Sequence, residues 1–390
     1  MRVVLINNYD LMGILKSFQE EQENAPAQHL WGYTLLEKRG ICVDILPFEK
    51  HGWLKQFSQK VKFLGDLDQQ LRLLTQLDRY DVIYSAHHLT TLFLAFLRSI
   101  KLLNIPIIAI AYQTPAQKTW FWKLFTQMFV QGNDKILCLS EALAKDLKEF
   151  GVPEQKLELI AWGPDLRFYQ PDFSKTQQPH WFEQADQPLN QLPNQPPDQP
   201  KFIFSLGKTY RDYSTLLKAF QQIDCQLTIC ASRAISAADV TALSLTNVTL
   251  YEDMIPWRGL IELYQQAYAV AIPLTCHNDK FNNAIGLTAL TEAMATGNAI
   301  VMTRNEYVGI DIEKEGIGLW VNPGDSQGWQ KAITYLLENP ALTQEMGRKA
   351  RLLAEKKFNL VTFSNQLAAT LEQFDQLPHA KGEFLRQGNF

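Results

Sequence analysis

Short apolar runs alternate with longer amphipathic stretches from the first residue onward. Arg2–Ile6, Cys42–Leu46, Asp81–Ser85, Ile105–Ala111, Lys135–Leu139 and Leu157–Ile160 read as buried strands. Leu89–Leu103 and Glu141–Phe150 show helical spacing between them. Strands alternating with helices predict βαβ units and a parallel sheet covered on both faces. A second series follows, with Phe202–Leu206, Leu227–Ala231, Val248–Leu250, Ala269–Leu274, Ala299–Thr303 and Leu319–Val321 as strands. Three helices close the chain, Gln327–Glu338, Leu342–Lys357 and Leu360–Phe374, with Pro340 opening the second.

Between the two series the pattern breaks. Residues 174–200 are about half Gln and Pro, too poor in apolar groups to offset the entropy of ordering them. The expected organisation is an α/β first domain over 1–173, a linker over 174–200 and a second domain over 201–360. A helix over 361–376 crosses back to the first domain, and 377–390 form a tail. Two doubly wound, Rossmann-like domains then face a cleft, where ligands bind at the carboxyl ends of the strands.

Composition narrows the classes of function. Hydrophobic residues make up 46% of the 390 positions and charged residues 20%, the balance of an ordinary globular protein. A formal net charge of −4 gives no reason to expect nucleic acid as a partner, so an anionic ligand must be held by local cations or helix N-termini. The five cysteines form no CxxC pair and predict reduced, mostly buried thiols in a cytoplasmic protein. The start, MRVVLINNYD, lacks the pattern of a signal peptide, and no Asp-x-Asp metal site stands out. Neither a metal nor a cofactor is expected.

Candidate chemistry concentrates in AVAIPLTCHNDKFNNAIGLTALTEAMATGNAIVMT, a strand, a polar loop, a helix over Leu287–Thr296, a Gly297 cap and another strand. Gly286 sits where the loop meets the helix, and a residue without Cβ lets an anion approach the backbone. The helix N-terminus at Leu287 offers N–H groups and a positive dipole end, and Thr288 adds a hydroxyl. Glu292, on the same helical face, can accept hydrogen bonds from a ribose diol. Its neighbours Ala293, Met294 and Ala295 are small and apolar, so an inward-facing acid there needs a partner. Earlier, FIFSLGKTYRDYSTLLKAF runs from a strand into Gly207, then Lys208 and Arg211, cations suited to a diphosphate.

GLTALTEAMATGNAIVMT followed by GIGLWVNPGD resembles the donor-binding region of family 4 retaining glycosyltransferases, well over 202–375 and more loosely over 1–170. The resemblance implies the GT-B fold and a nucleotide-sugar donor. It also implies transfer of a hexosyl unit, without a metal, to a glycan or lipid-linked acceptor. It maps the second acid of the family's Glu-x7-Glu motif onto Glu292, as a ribose contact. The first acid falls on Ala284, which leaves Asn282 and Asn283 as substitutes near the sugar. Tyr251, Met254 or Ile255 would flank the nucleobase. The His that meets the donor sugar in many relatives maps onto Tyr112.

In the first domain, DVIYSAHHLTTL places His87 and His88 just after a strand, so His88 joins Tyr112 as a catalytic candidate. By the same resemblance INNYD and HLWG are acceptor loops, giving Asn8, Tyr9 and His29 as acceptor contacts, with Asn7 and Trp31 beside them. The aromatic segment Lys118–Gly132 suits either an interfacial helix, giving peripheral attachment at the inner face of the membrane, or a buried one. Two other readings of the chain stay open, a sugar-nucleotide epimerase and a non-catalytic binding protein of the same fold.

Overall fold

The computed structural model describes residues 1–171, except 61–63, 115–126 and 129, and residues 201–375, except 232–233 and 277–280. The linker over 174–200, the tail over 377–390 and most of Lys118–Gly132 lie outside the described residues.

The first domain holds β1 (Arg2–Ile6), β2 (Cys42–Ile45), β3 (Val82–Ser85), β4 (Ile107–Ala111), β5 (Lys135–Cys138) and β6 (Leu157–Leu159). Its helices are α1 (Leu11–Glu20), α2 (Tyr33–Lys38), α3 (Gly52–Lys60), α4 (Leu67–Leu74), α5 (Leu92–Ser99) and α6 (Glu141–Glu149). The second domain has β7 (Phe202–Leu206), β8 (Gln226–Cys230), β9 (Val248–Tyr251), β10 (Ala269–Ile272), β11 (Ala299–Thr303) and β12 (Gly318–Val321). With them run α7 (Tyr213–Phe220), α8 (Ala237–Ala242), α9 (Trp257–Gln266), α10 (Leu287–Ala295), α11 (Ser326–Glu338), α12 (Pro340–Lys356) and α13 (Leu360–Glu372). Every predicted strand is present within about two residues of its expected limits, the usual uncertainty of element ends.

Both sheets are parallel, ordered β2-β1-β3-β4-β5-β6 and β12-β11-β10-β7-β8-β9. The strand order reverses between β1 and β3 in the first sheet and between β7 and β10 in the second. These are the points where doubly wound sheets open a crevice for ligands. The central strands are sealed on both faces: Val3–Ile6, Ile107–Ala111 and Ala269–Val270 are fully buried, which is why they read as continuous apolar runs.

Local chemistry fixes the helix starts. Asp10 caps α1 through Gly13 N–H, Ser140 caps α6 through Leu143 N–H, and Asp212 caps α7 through Thr215 N–H. The last helix returns to the first domain: Leu360 N–H donates to Pro164 O at 2.9 Å, and Arg39 Nη1 to Asn365 Oδ1 at 2.9 Å. The five cysteines form no disulfide; Cys138 and Cys230 are buried, whereas Cys42 is exposed.

Candidate active site

The expected donor side lies where β7 ends. The chain turns at Gly207 with φ of 115°, and a Cβ there would fall 2.6 Å from Arg211 Nη2. The guanidinium therefore occupies space that only glycine leaves open. Arg211 Nε donates to Leu206 O at 2.9 Å and Nη1 to Thr209 O at 3.1 Å. Among the described residues it pairs with no carboxylate, and burial draws its pKa below the usual value. Lys208 beside it is exposed. Asp212 N–H to Pro273 O (3.3 Å) and Thr275 N–H to Tyr210 O (3.0 Å) lace this loop to the end of β10. A half-buried guanidinium lacking an anion, at the reversal of strand order, is suited to a phosphate group.

Around α10 the structure gives different reasons for several residues. Gly286 has φ of 91°, and its missing Cβ would point at Met302 Cε (2.6 Å) and Leu274 Cδ1 (3.1 Å). Glycine is required there by backbone conformation and core packing, not by the approach of an anion from the cleft. Leu287 N–H is already bonded to Ala284 O at 3.1 Å and its side chain is buried, so a donor contact through that N–H is corrected. Thr288 is exposed, one residue into the helix.

Glu292 lies inside the protein, 7% exposed. Tyr169 OH donates to its Oε1 at 2.9 Å and Tyr264 OH to its Oε2 at 3.2 Å. Gln28 Nε2 in turn donates to Tyr169 OH at 2.8 Å, so the network crosses from the first domain to the second. Burial raises the Glu292 pKa to about 7, and the phenol bonds only partly oppose it. A ribose contact at Glu292 would have to share or replace the phenols on both oxygens.

The domains meet directly beside this helix. Ala284 N–H donates to Tyr112 O at 2.7 Å and Thr114 N–H to Asn282 O at 2.8 Å, so Gln113 and Asn283 face each other in an antiparallel bridge. Asn305, 1% exposed, holds the donor loop from behind, its Nδ2 donating to Asn283 O at 3.1 Å and Ile285 O at 3.0 Å. Tyr112 and Asn283 are thus brought together through the main chain. Burial pushes the Tyr112 phenol up to about 12, so at neutral pH it is a hydrogen-bond donor and not a base.

His88 does not reach the cleft. It is fully buried, stacked on His87 with centroids 5.8 Å apart, and burial lowers its pKa to about 4. The catalytic placement of His88 is therefore corrected: His87 is the ring that meets Tyr112, edge-on at 4.4 Å. On the acceptor side Asn8 and His29 are exposed and Tyr9 is half-buried. Tyr9 OH donates to His29 O at 2.9 Å and accepts from Trp31 Nε1 at 2.7 Å, which gathers the three residues. Trp31 also packs against Trp162 and Phe363, each at 6.0 Å, and so serves the core. Tyr251, the last residue of β9, and Met254 beyond it are exposed, where a nucleobase contact was expected, and Ile255 is half-buried.

Contrary to expectation, the sequence does contain an Asp-x-Asp triplet, Asp66-Leu67-Asp68. Asp66 caps α4, and the buried Asp68 pairs with Arg72 at 2.7 Å. Among the described residues no group of three or more His, Cys, Asp and Glu is placed to hold a metal ion. Sequence reasoning missed Gln28, Tyr169, Tyr264 and Asn305. The one signal for the tyrosines was the need of an acid within Ala-Met-Ala for a partner.

Two parallel, doubly wound sheets with a cation-bearing turn at the switch point of the second define a two-domain α/β class. The model of Glycosyltransferase Family 4 matches residues 21–168, and that of Glycosyl transferases group 1 matches residues 186–353. Together they take in most of the chain, which belongs to the family 4 glycosyltransferases of GT-B fold. The D-inositol 3-phosphate glycosyltransferase of Corynebacterium diphtheriae is 24% identical over 297 residues, 69% of this chain and 65% of that protein. D-rhamnosyltransferase WbpZ of Pseudomonas aeruginosa is 25% identical over 230 residues, 57% of this chain and 55% of that protein. The chain thus aligns with less than two thirds of each of these curated relatives. Anabaena HepE, solved with UDP and glucose, superposes with a TM-score of 0.62 at 15% identity, over 95% of this chain and 99% of its own.

Proposed function

We propose that the protein transfers a hexosyl unit, with retention, from a nucleoside diphosphate sugar to a hydroxyl of a glycan or lipid-linked glycan. The carrying observation is Arg211, seated on Gly207 beside exposed Lys208 and, among the described residues, bonded through its guanidinium to main-chain carbonyls and no carboxylate. A pyrophosphate leaving group supplies the missing anion, and its developing charge is balanced by these two cations instead of a metal. The UDP bound to HepE and the transferase names of both curated relatives support the same donor class. The bond from anomeric carbon to phosphate oxygen breaks as the acceptor oxygen attacks the same face. The acceptor proton passes to the leaving phosphate, so the absence of a base at Tyr112 is compatible with the reaction. Asn283 and Thr288 border the sugar, and Asn8, Tyr9 and His29 border the acceptor.

Calorimetry with a panel of nucleoside diphosphate sugars tests the reading. Donor binding with transfer, or with slow donor hydrolysis, is the expected result, and Arg211→Ala should weaken binding about tenfold to a hundredfold. Binding without any turnover would indicate a non-catalytic relative. Equal binding by Arg211→Ala and the wild type would remove the site.

A further inference from the structure

Helix α3 follows β2, the edge strand of the first sheet, and its start is firmly held. The Asp68 carboxylate accepts from Lys50 N–H at 2.9 Å and His51 N–H at 3.1 Å. Leu67 N–H donates to Ser58 Oγ at 3.1 Å, and Leu54 is buried, so these positions mark the inner face. Trp53, Phe57 and Lys60 recur at i, i+4 and i+7 and form one outer stripe. Trp53 is 69% exposed and Phe57 49%. Two large rings one turn apart in water are a sizeable uncovered apolar surface.

Charge distinguishes this face from the rest of the molecule. The chain carries a formal net charge of −4, yet residues 50–65 contain Lys50, Lys55, Lys60 and Lys62 and no acid. Lys50, His51 and Lys60 are exposed. Location adds to this. Gln69, next to Asp68, donates to Asn7 O at 2.7 Å, so the base of α3 is tied to the carboxyl end of β1, beside Asn8 and Tyr9.

We propose that the outer face of α3 docks on an anionic lipid bilayer. Trp53 and Phe57 enter the boundary between headgroups and acyl chains, while the exposed Lys50 and Lys60 pair with lipid phosphates. Docking there turns the acceptor rim toward the lipid surface, where a lipid-linked acceptor would lie. That last step rests on the function proposed above, whereas the docking itself is measured without substrate.

The test is co-sedimentation of the full chain with vesicles of phosphatidylcholine alone or mixed equally with phosphatidylglycerol. The wild type should sediment with the mixed vesicles, stay in solution with the neutral ones, and be released by high salt. Trp53→Ser/Phe57→Ser should bind at least about tenfold more weakly, and Lys60→Glu about fivefold more weakly. Calorimetric UDP binding by the double variant should equal that of the wild type, which shows that the variant is folded. Wild type left in solution with anionic vesicles overturns the proposal, and so does a double variant that sediments as well as wild type. Vesicle binding that follows this pattern while no nucleotide binds would overturn the donor reading and leave this one standing.

Discussion

The phenol of Tyr169 donates to Glu292 Oε1 at 2.9 Å, joining the segment that leaves the first domain to the helix beside the donor loop of the second. Tyr264 closes the other oxygen at 3.2 Å, and the acid lies out of water between them. Because no cation offsets its charge among these partners, the carboxyl is proton-retentive, with a pKa of about 7.

The folded value for Glu292 lies above the ordinary 4.5, so the folded state binds this proton more tightly than the unfolded chain. The stability that results is fully present below about pH 4.5 and is lost as pH rises through about 7, a change of about 3 kcal/mol. Glu292→Gln cannot titrate and can keep a hydrogen bond to each phenol. Urea unfolding between about pH 4.5 and about pH 8 should fall steeply for the wild type and less steeply for the variant. Parallel slopes would show that Glu292 is not the titrating group.

Removing the Tyr169 hydroxyl leaves Gln28 Nε2 and Glu292 Oε1 without this partner. Tyr169→Phe should lower stability by about 1–3 kcal/mol, the usual penalty for orphaning buried polar groups. The phenol bond favours the carboxylate, so its loss should also move the pH window of Glu292 upward. The same pH series, run on this variant, reads both effects.

Gly207→Ala tests the Arg211 seat. The added methyl would meet the guanidinium at 2.6 Å, at a φ of 115° that a side chain tolerates poorly. Arg211 must move, and UDP affinity should fall about tenfold or more, approaching that of Arg211→Ala. A variant that unfolds in urea near the wild-type midpoint yet binds UDP normally would separate Gly207 from the donor site.

These cases also show how far the sequence carries. The central strands were legible because parallel strands buried on both faces are aliphatic along their whole length, as Ile107–Ala111 is. Gly207 and Arg211 were legible because the turn and the cation lie four positions apart. The partners of Glu292 were not, since Tyr169 is 123 positions away and no local period links them. Gly286 misled for a related reason: a glycine before a helix looks the same whether its bare face meets a ligand or Met302. His88 misled because a polar pair after a strand reads as exposed, whereas both His87 and His88 are buried here.

Asn305 offers a test of the donor loop from outside the cleft. Its Nδ2 supports Asn283 O and Ile285 O, and its Oδ1 accepts from Tyr307 N–H. Asn305→Ala leaves two loop carbonyls unsupported and should destabilise the protein by about 2 kcal/mol. If the bridge between residues 112–114 and 282–284 shapes the sugar site, the variant should raise KM for the donor sugar while UDP alone binds nearly as before. An equal loss for UDP and for the sugar nucleotide would place the effect at the diphosphate instead.

Gly163 decides whether the last helix can brace the first domain. A Cβ at this position would lie 2.0 Å from Phe358 O and 2.5 Å from Asn359 N, both main-chain atoms that cannot swing aside. Those atoms lead into α13, whose Leu360 N–H bonds Pro164 O and whose Phe363 and Leu367 are fully buried. Gly163→Ala therefore has to push the start of α13 off its seat, which should cost about 3 kcal/mol or more. Because α13 closes the contact through Arg39 and Asn365, the loss should expose that helix to protease before the sheets unfold. Limited proteolysis should cut Gly163→Ala first within residues 357–372, while Gly52→Ala, where a Cβ meets nothing within 4 Å, keeps this region protected. Equal protection in both variants would mean that α13 is not held by the close approach at Gly163.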